Sequence, residues 1–421
     1  MTNQFLYSNF YTEAKKFVNV LIFMKKSIGS KKIILSYVFF QLFIFHIVQY
    51  IIGPLIPLIS KDLGVSLEII GITVSLSVLG LFLSAFLSGS IIERFGYRSV
   101  LNISLVFSLI GCLGVYFSLN HISFILFYLI LQISAGIIIG CTISLTGYIS
   151  GRSRGTNLVG VMIGAAMANL ISPLIISLTL LKGLNWRSLF LFLVVPLLAL
   201  SVLFIFLKIP ETAKKLISIK QIFRSNKRIL SNRSMIIYSI LIFFNVAVVF
   251  TFYTWFTLYF SALESNIIKS SFYLSFFGLA LVLGGILKIQ ILKILNEINI
   301  LFITMITSLV FIGAIYYSNN LYFIILFVFL LGLSVSSNGM LIISLGLKVY
   351  KKYDKTISGN LLAASYLGVI CFQYLVGYFS EHYTSNSVIY INMVILFISL
   401  VIVIYIKFFK MKIIKTFSER Y

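Results

Sequence analysis

The sequence predicts an all-α membrane protein, with twelve transmembrane helices in two six-helix bundles. Three observations carry that prediction. First, 60% of the 421 residues are apolar and 10% are charged, with a mean hydropathy of +1.09. A soluble domain carries roughly 25% charged residues, so this chain could not cover a surface facing water. Second, the apolar residues gather into a dozen segments, most of them long enough for the roughly 20 residues that a helical crossing needs. Third, the 33 Lys and Arg residues outnumber the 10 Asp and Glu residues, and they sort to one side when the segments alternate in direction.

The first six segments run at 34–59, 68–92, 99–119, 122–149, 156–181 and 188–208. The second six run at 235–261, 272–290, 300–318, 321–346, 360–380 and 387–408. None shows the strict period-two alternation of a membrane β-strand, which excludes a barrel. The longest polar stretch, Lys208 to Ser234, lies between the two sets. The expected organisation is therefore an N-terminal segment at 1–33, a bundle at 34–208, a basic linker at 209–234, a second bundle at 235–408 and a tail at 409–421. The apolar run Phe17 to Met24 is short and flanked by lysines, unlike a secretory signal. Residues 1–23 are expected to be a mis-started extension or a loose surface segment.

Twelve crossings place both termini on one side of the membrane. That side then holds 29 of the 33 cations, and only Lys61, Lys182, Arg187 and Lys269 fall on the other. This is the positive-inside pattern of a multi-pass protein with cytoplasmic ends. The Lys-, Ile- and Asn-rich composition points to a bacterial inner membrane. The excess charge is topological, with anionic lipid headgroups as its expected partners and no role for nucleic acid.

The turn after the second segment reads Gly89-Ser-Ile-Ile-Glu93-Arg94-Phe-Gly96-Tyr97-Arg98. Gly80 and Ser84 precede it and allow close helix approach. Gly96 permits a tight turn, and an acid beside an arginine can latch two halves together. The run resembles the signature loop of the major facilitator superfamily: Gly, three residues, an acid, Arg, any residue, Gly and two basic residues. Asn185-Trp186-Arg187-Ser-Leu-Phe190 resembles that family's entry to its sixth helix, and Pro210-Glu211-Thr212 the segment that follows it. Ser358-Gly359, Gly368 and Gly377 resemble the glycine spacing of its eleventh helix.

The resemblance implies inverted repeats and alternating access to a site near the midplane. It also implies a cytoplasmic gate made of Gly89, Glu93, Arg94, Gly96 and Arg98. Glu93 is expected to face the start of the eleventh helix, near Thr356 to Gly359, where backbone N–H groups are unpaired. The sequence departs from the family pattern in four places. Tyr97 replaces a basic residue, and the second-half copy of the loop, around Gly285 to Lys293, lacks the acid–Arg pair. Leu129 stands where a proton-coupled drug exporter carries Arg, and Ser172-Pro173 stands where antiporters carry Gly-Pro.

All ten acids fall at segment ends, loops or tails, and the cations are likewise assigned to loops, Lys288 among them. Charged groups inside a span are costly and default to function. Their expected absence argues against a strongly cationic or anionic solute. His46 is the one titratable group placed within a segment, and Gln49, Tyr50 and Gly53 share its helical face. The seventh segment follows Asn245 with Phe250, Phe252, Tyr253, Trp255, Phe256 and Tyr259. Such a cluster reads either as an interfacial belt or as a stacking surface beside an amide. Gln132, Asn169, Asn338 and Gln373 are further buried amides, each either interhelical glue or a ligand contact.

The family resemblance implies that the first, fourth, seventh and tenth helices line the cavity. That projection selects His46, Gln49, Asn245, Tyr253 and Asn338 as candidate solute contacts. Cys112, Cys141 and Cys371 are far apart, and no metal, cofactor or ATP-binding motif is present. No Ser/His, His/Glu or paired-carboxylate constellation calls for an enzyme. The expected function is secondary or facilitative transport of a small neutral or weakly charged organic solute by a monomer. Rival readings are an exporter of hydrophobic compounds and a transport-dead sensor. A coupling proton, if used, is expected on His46, whose ordinary pKa is about 6.5, or on a carboxylate near a segment end such as Glu68 or Glu264.

Overall fold

The computed structural model describes residues 31–150, 154–209, 233–264, 266–348 and 354–410. Nearly all of the expected N-terminal segment, linker and tail lie outside the described residues, as do Arg152 and the side chains of Arg154, Thr356 and Ser358. Among the described residues all regular structure is helical. The elements are α1 Lys31–Tyr50, α2 Ile52–Leu63, α3 Leu67–Tyr116, α4 His121–Ser150, α5 Arg154–Leu181 and α6 Ser188–Phe206 in the first half. The second half holds α7 Arg233–Glu264, α8 Ile267–Ile291, α9 Glu297–Tyr317, α10 Leu321–Val335, α11 Asn338–Leu347, α12 Asp354–His382 and α13 Ser387–Tyr405.

Eleven stretches are long and apolar enough to cross a membrane, two of them assembled from α1 with α2 and α10 with α11. The 50-residue α3 counts twice. A straight helix of that length would span roughly 75 Å, more than twice a bilayer core. Its backbone leaves helical geometry at Gly96 (φ 77°, ψ 158°), a conformation open to glycine. The neighbours of α4 show that the chain reverses there. Gly136 and Gly140 face Ser84 and Ser88 in parallel register. Gly111 and Gly114 meet Leu131 and Phe127 in antiparallel register. With α3 counted as two, the described residues form twelve apolar segments, six in each half.

Two crossings are bent. The first changes helix at Ile51, ahead of Pro54, whose ring removes a backbone donor. The tenth breaks at Ser336 and Ser337, and Ser337 (φ 55°) is the one non-glycine residue at positive φ among those described. Hydropathy predicts neither bend, because each crossing reads as one continuous apolar segment.

Without water to drive apolar burial, helices in a membrane associate through small residues and close backbone contact. Gly160, Gly164, Ala168 and Ser172 place a small residue at every fourth position of α5, and this small-residue stripe allows close approach: a Cβ at Gly164 would lie 2.6 Å from Phe39 O. Gly368 of α12 sits closer still against α7, where a Cβ would fall 1.9 Å from Phe243 O. The opposite faces carry large exposed apolar groups, such as Phe192, Val195, Val202 and Phe206 on α6. In water such a continuous patch would be untenable, whereas against lipid it is the expected surface.

Most of the α7 aromatics pack inside the second bundle. Phe252 and Phe256 stack on each other (4.5 Å between centroids) and Phe252 lies 4.9 Å from Phe277. Phe252, Tyr253, Trp255, Phe256 and Tyr259 are all buried. Most of the cluster is the core of the second bundle. Trp255 Nε1 donates to Gln373 Oε1 at 2.6 Å, and Gln373 Nε2 donates to Thr254 Oγ1 at 3.0 Å. Gln373 is thus glue between α7 and α12.

Candidate functional site

The two bundles meet unevenly along their length. At the end that carries few cations, contacts are dense. Glu381 accepts a hydrogen bond from the Leu67 backbone N–H at 2.7 Å, and Glu68 accepts from His382 at 3.3 Å. Ser75 Oγ donates to Ile370 O at 2.8 Å, and Ser177 Oγ donates to Ile268 O at 3.1 Å. Glycines bring the backbones together here. A Cβ at Gly53 would lie 2.7 Å from Thr254 Cα, and one at Gly278 would lie 2.2 Å from Asn169 O.

The basic end differs. Among the described residues, a Cβ at Gly89, Gly160 or Gly359 would meet nothing within 4 Å. Between α3 and α12, the Phe82 and Tyr366 rings still meet, with centroids 6.1 Å apart. Both residues are roughly 24 Å from the cation-poor end at 1.5 Å per residue. The described part of the molecule is closed at its cation-poor end and splayed at its basic end.

The expected gate residues lie at that splayed end. Glu93 is half-buried and makes no hydrogen bond or ion pair among the described residues. Arg94 and Arg98 are exposed; Arg94 lies over the Phe95 ring and Arg98 Nη2 donates to Ile205 O at 3.1 Å. Tyr97, where the family motif has a basic residue, is buried and bonds Ser144 Oγ through its hydroxyl at 2.7 Å. The substitution trades a loop charge for a bond between α3 and α4.

A polar cluster occupies the bundle interface where the contacts end. Tyr50 and Tyr253, from opposite bundles, have centroids 4.8 Å apart. Tyr253 donates to Asn169 O at 3.0 Å and lies 3.3 Å from Ser172 Oγ. Asn169 Nδ2 donates to Ala165 O at 3.4 Å, while its Oδ1 is buried without a partner among the described residues. One turn along α1, the His46 ring lies 6.2 Å from that of Tyr50. His46 Nδ1 is 2.8 Å from Leu42 O. A carbonyl only accepts, so Nδ1 carries the hydrogen, and neutral His46 presents Nε2 as an acceptor. Gln49, half-buried, forms no hydrogen bond with any described residue.

Of the five solute contacts expected from the sequence, His46 and Tyr253 both lie against the Tyr50 ring, and Gln49 precedes Tyr50 on α1, half-buried. The other two turn into the second bundle. Asn245 Nδ2 points at Met305 Sδ (3.6 Å), and Asn338 Oδ1 accepts from Lys288 Nζ at 2.6 Å. Asn169, named in the sequence only among generic buried amides, is the amide that joins the cluster. Its signal is the small stripe of α5, which makes α5 an interface helix.

Lys288 is the clearest departure from the sequence reading. The sequence places it with the loop cations, yet it is 4% exposed inside α8. The acids hold to expectation: Asp62, Glu68, Glu264, Glu297 and Glu381 all sit at or near helix ends. Asp62 is paired with Arg187 and accepts from Trp186 Nε1 at 3.1 Å, which ties the first crossing to the sixth. A cleft lined by Leu58, Lys61, Leu180 and Trp186 adjoins this pair at the closed end, remote from the central cluster. No group of three metal-ligating side chains occurs among the described residues.

Several solved structures share this arrangement. A D-xylose–proton symporter superposes with a TM-score of 0.73 at 14% identity, over 89% of this chain and 97% of that one. A point mutant of the nucleoside transporter NupG gives 0.73 at 14% identity, over 87% and 98%. The inward-open xylose transporter XylE from E. coli gives 0.68 at 13% identity, over 89% and 95%. At such identities the likeness is one of fold. No curated protein sequence matches. The model of the Major Facilitator Superfamily matches residues 38–359, well over half the chain and from the first crossing into the eleventh. With the two six-helix bundles and the Gly89–Arg98 turn in place, the chain belongs to the Major Facilitator Superfamily of transporters.

Proposed function

We propose that the protein moves a small, neutral or weakly charged organic solute across the cell membrane by alternating access. The site is the interface cluster of His46, Gln49, Tyr50, Asn169 and Tyr253, with Asn245 and Asn338 behind it in the second bundle. The observation that carries this reading is an uncharged polar cluster at mid-depth, where contacts between the bundles stop. Tyrosine faces beside amide and imidazole groups suit a polyhydroxylated solute, and sugars and nucleosides are the first classes to test. The positive-inside rule puts the basic end and both termini in the cytoplasm. The conformation described is then inward-open, which accounts for a gate carboxylate, Glu93, without a partner among the described residues.

Counterflow in proteoliposomes, screened across sugars and nucleosides, tests the function. Accelerated exchange with one class supports it, and no exchange with any small neutral solute removes it. His46→Leu is expected to weaken binding, raising the half-saturating solute concentration, because the Nε2 acceptor is lost. If His46 also carries a coupling proton, uptake by the native protein climbs as external pH falls from about 8 to 6 and His46→Gln flattens that rise while retaining exchange. pH-driven accumulation that survives in His46→Gln takes the proton off this residue.

Glu93→Gln probes the gate. The carboxylate is expected to engage the start of α12 when the cytoplasmic end closes. Its loss therefore weakens the outward-facing state and shifts the population inward. Accessibility of a cysteine at the cytoplasmic mouth should rise, and an unchanged labelling rate refutes the latch.

A further inference from the structure

The break in the tenth crossing is built around a positive charge. Lys288 Nζ donates to Ser334 O at 2.7 Å, to Asn338 Oδ1 at 2.6 Å and to Ser336 O. An ammonium has three N–H donors, so all are used. Among the described residues it pairs with no carboxylate; Glu297, at the start of α9, is taken by Lys348 at 2.5 Å. A charge buried in a membrane span without a counter-ion needs another source of compensation.

That source is the broken helix. The last bond of α10 runs from Ser336 N to Gly332 O at 3.1 Å, and the next piece begins with Met340 N to Ser337 O at 3.1 Å. The carbonyls between are freed by the break and lie at the negative end of the α10 dipole. Other bonds hold the oxygens in place. Ser336 Oγ donates to Leu281 O at 2.5 Å, and Thr304 Oγ1 donates to Asn338 Oδ1 at 3.3 Å. Backbone carbonyls arranged in this way replace the hydration shell of a cation, as they do in ion-selective pores.

We propose that the break at Ser336–Ser337 is a monovalent-cation site, and that the Lys288 ammonium is its tethered occupant. All of its oxygens are neutral, which suits one positive charge and not two; divalent sites draw on carboxylates. Three acceptors around one nitrogen suit an N–H donor better than a bare alkali ion, which takes more oxygens. When the side chain is shortened, free ammonium or methylammonium takes the vacated place.

Purified Lys288→Ala in detergent tests this by thermal melting with methylammonium chloride, against tetramethylammonium chloride at equal concentration. The first ion can donate hydrogen bonds and the second cannot. Lys288→Ala is expected to melt below the native protein and to recover saturably in methylammonium alone. The native protein and Lys288→Met, whose chain fills the same space, should not respond. Equal responses of Lys288→Ala to the two ions, or no response, overturn the site. So does an equal methylammonium response in Lys288→Met. If Lys288→Ala cannot be purified without added cation, its recovery from membranes solubilised in each salt is compared. Recovery in methylammonium alone supports the proposal, and equal recovery in both, or none in either, overturns it.

Discussion

Gly278→Val is expected to force the bundles apart at the closed end and to move the population toward the state open on that side. The first added carbon would sit 2.2 Å from Asn169 O and 2.6 Å from its carbonyl carbon. Both atoms are backbone, so relief requires α5 and α8 to separate. Overpacking of this kind costs about 1–3 kcal/mol, which as a conformational bias is about a 5- to 150-fold shift. The measurement is labelling of Ser172→Cys by a membrane-impermeant maleimide from the cation-poor side. Cys371 is exposed and is first replaced by Ser, whereas Cys112 and Cys141 are buried. Faster labelling in the Gly278→Val background is expected. A rate equal to that of its parent would show that this contact does not hold the bundles closed.

Gly368→Ala should lower stability without favouring either conformation. Its Cβ would lie 1.9 Å from Phe243 O, and α7 and α12 belong to the same bundle. The collision is present whichever end is open. A destabilisation of about 1–3 kcal/mol is expected from overpacking alone, read as a lower melting temperature in detergent with Ser172→Cys labelling unchanged. Gly89→Ala and Gly359→Ala provide the contrast, since a Cβ there meets nothing within 4 Å among the described residues. Alanine in a helix is favoured over glycine by about 0.5–1 kcal/mol, so these two should melt at or above the native temperature. If all three variants melt together, helix propensity and not backbone approach sets the response.

The two expectations separate interface glycines from bundle glycines, a distinction that the linear sequence does not contain. Gly278 and Gly368 look alike there, each a small residue in an apolar run. Which one faces the other bundle depends on helix rotation, and rotation is decided by packing.

The same division runs through the whole molecule. The number of crossings and their direction are legible because they depend on local sums: apolar length against bilayer thickness, and cations against the membrane side. The turn at Gly96 is legible because a reversal of the chain there needs a conformation few other residues adopt. The position of the acids at helix ends follows from the cost of burying charge. Lys288 escapes that logic because its cost is met by oxygens of Ser334, Ser336 and Asn338, some fifty residues along the chain. Proximity to a segment end makes it look like a loop cation. Asn245 and Asn338 escape it too, since an amide in a helix declares its polarity but not the neighbour it bonds. His46, Gln49 and Tyr253 stand out because a polar residue in an apolar run is a local property, whereas the meeting of His46 and Tyr253 with Tyr50, and of Tyr253 with Asn169, is not. Composition and spacing determined that this chain is a multi-pass membrane protein and at which ends of its segments the positive charge gathers. Only the contacts between distant helices decided which buried polar groups face the interface and which ones bind the bundles together, because hydrogen-bond partners inside a membrane are chosen in space and not along the chain.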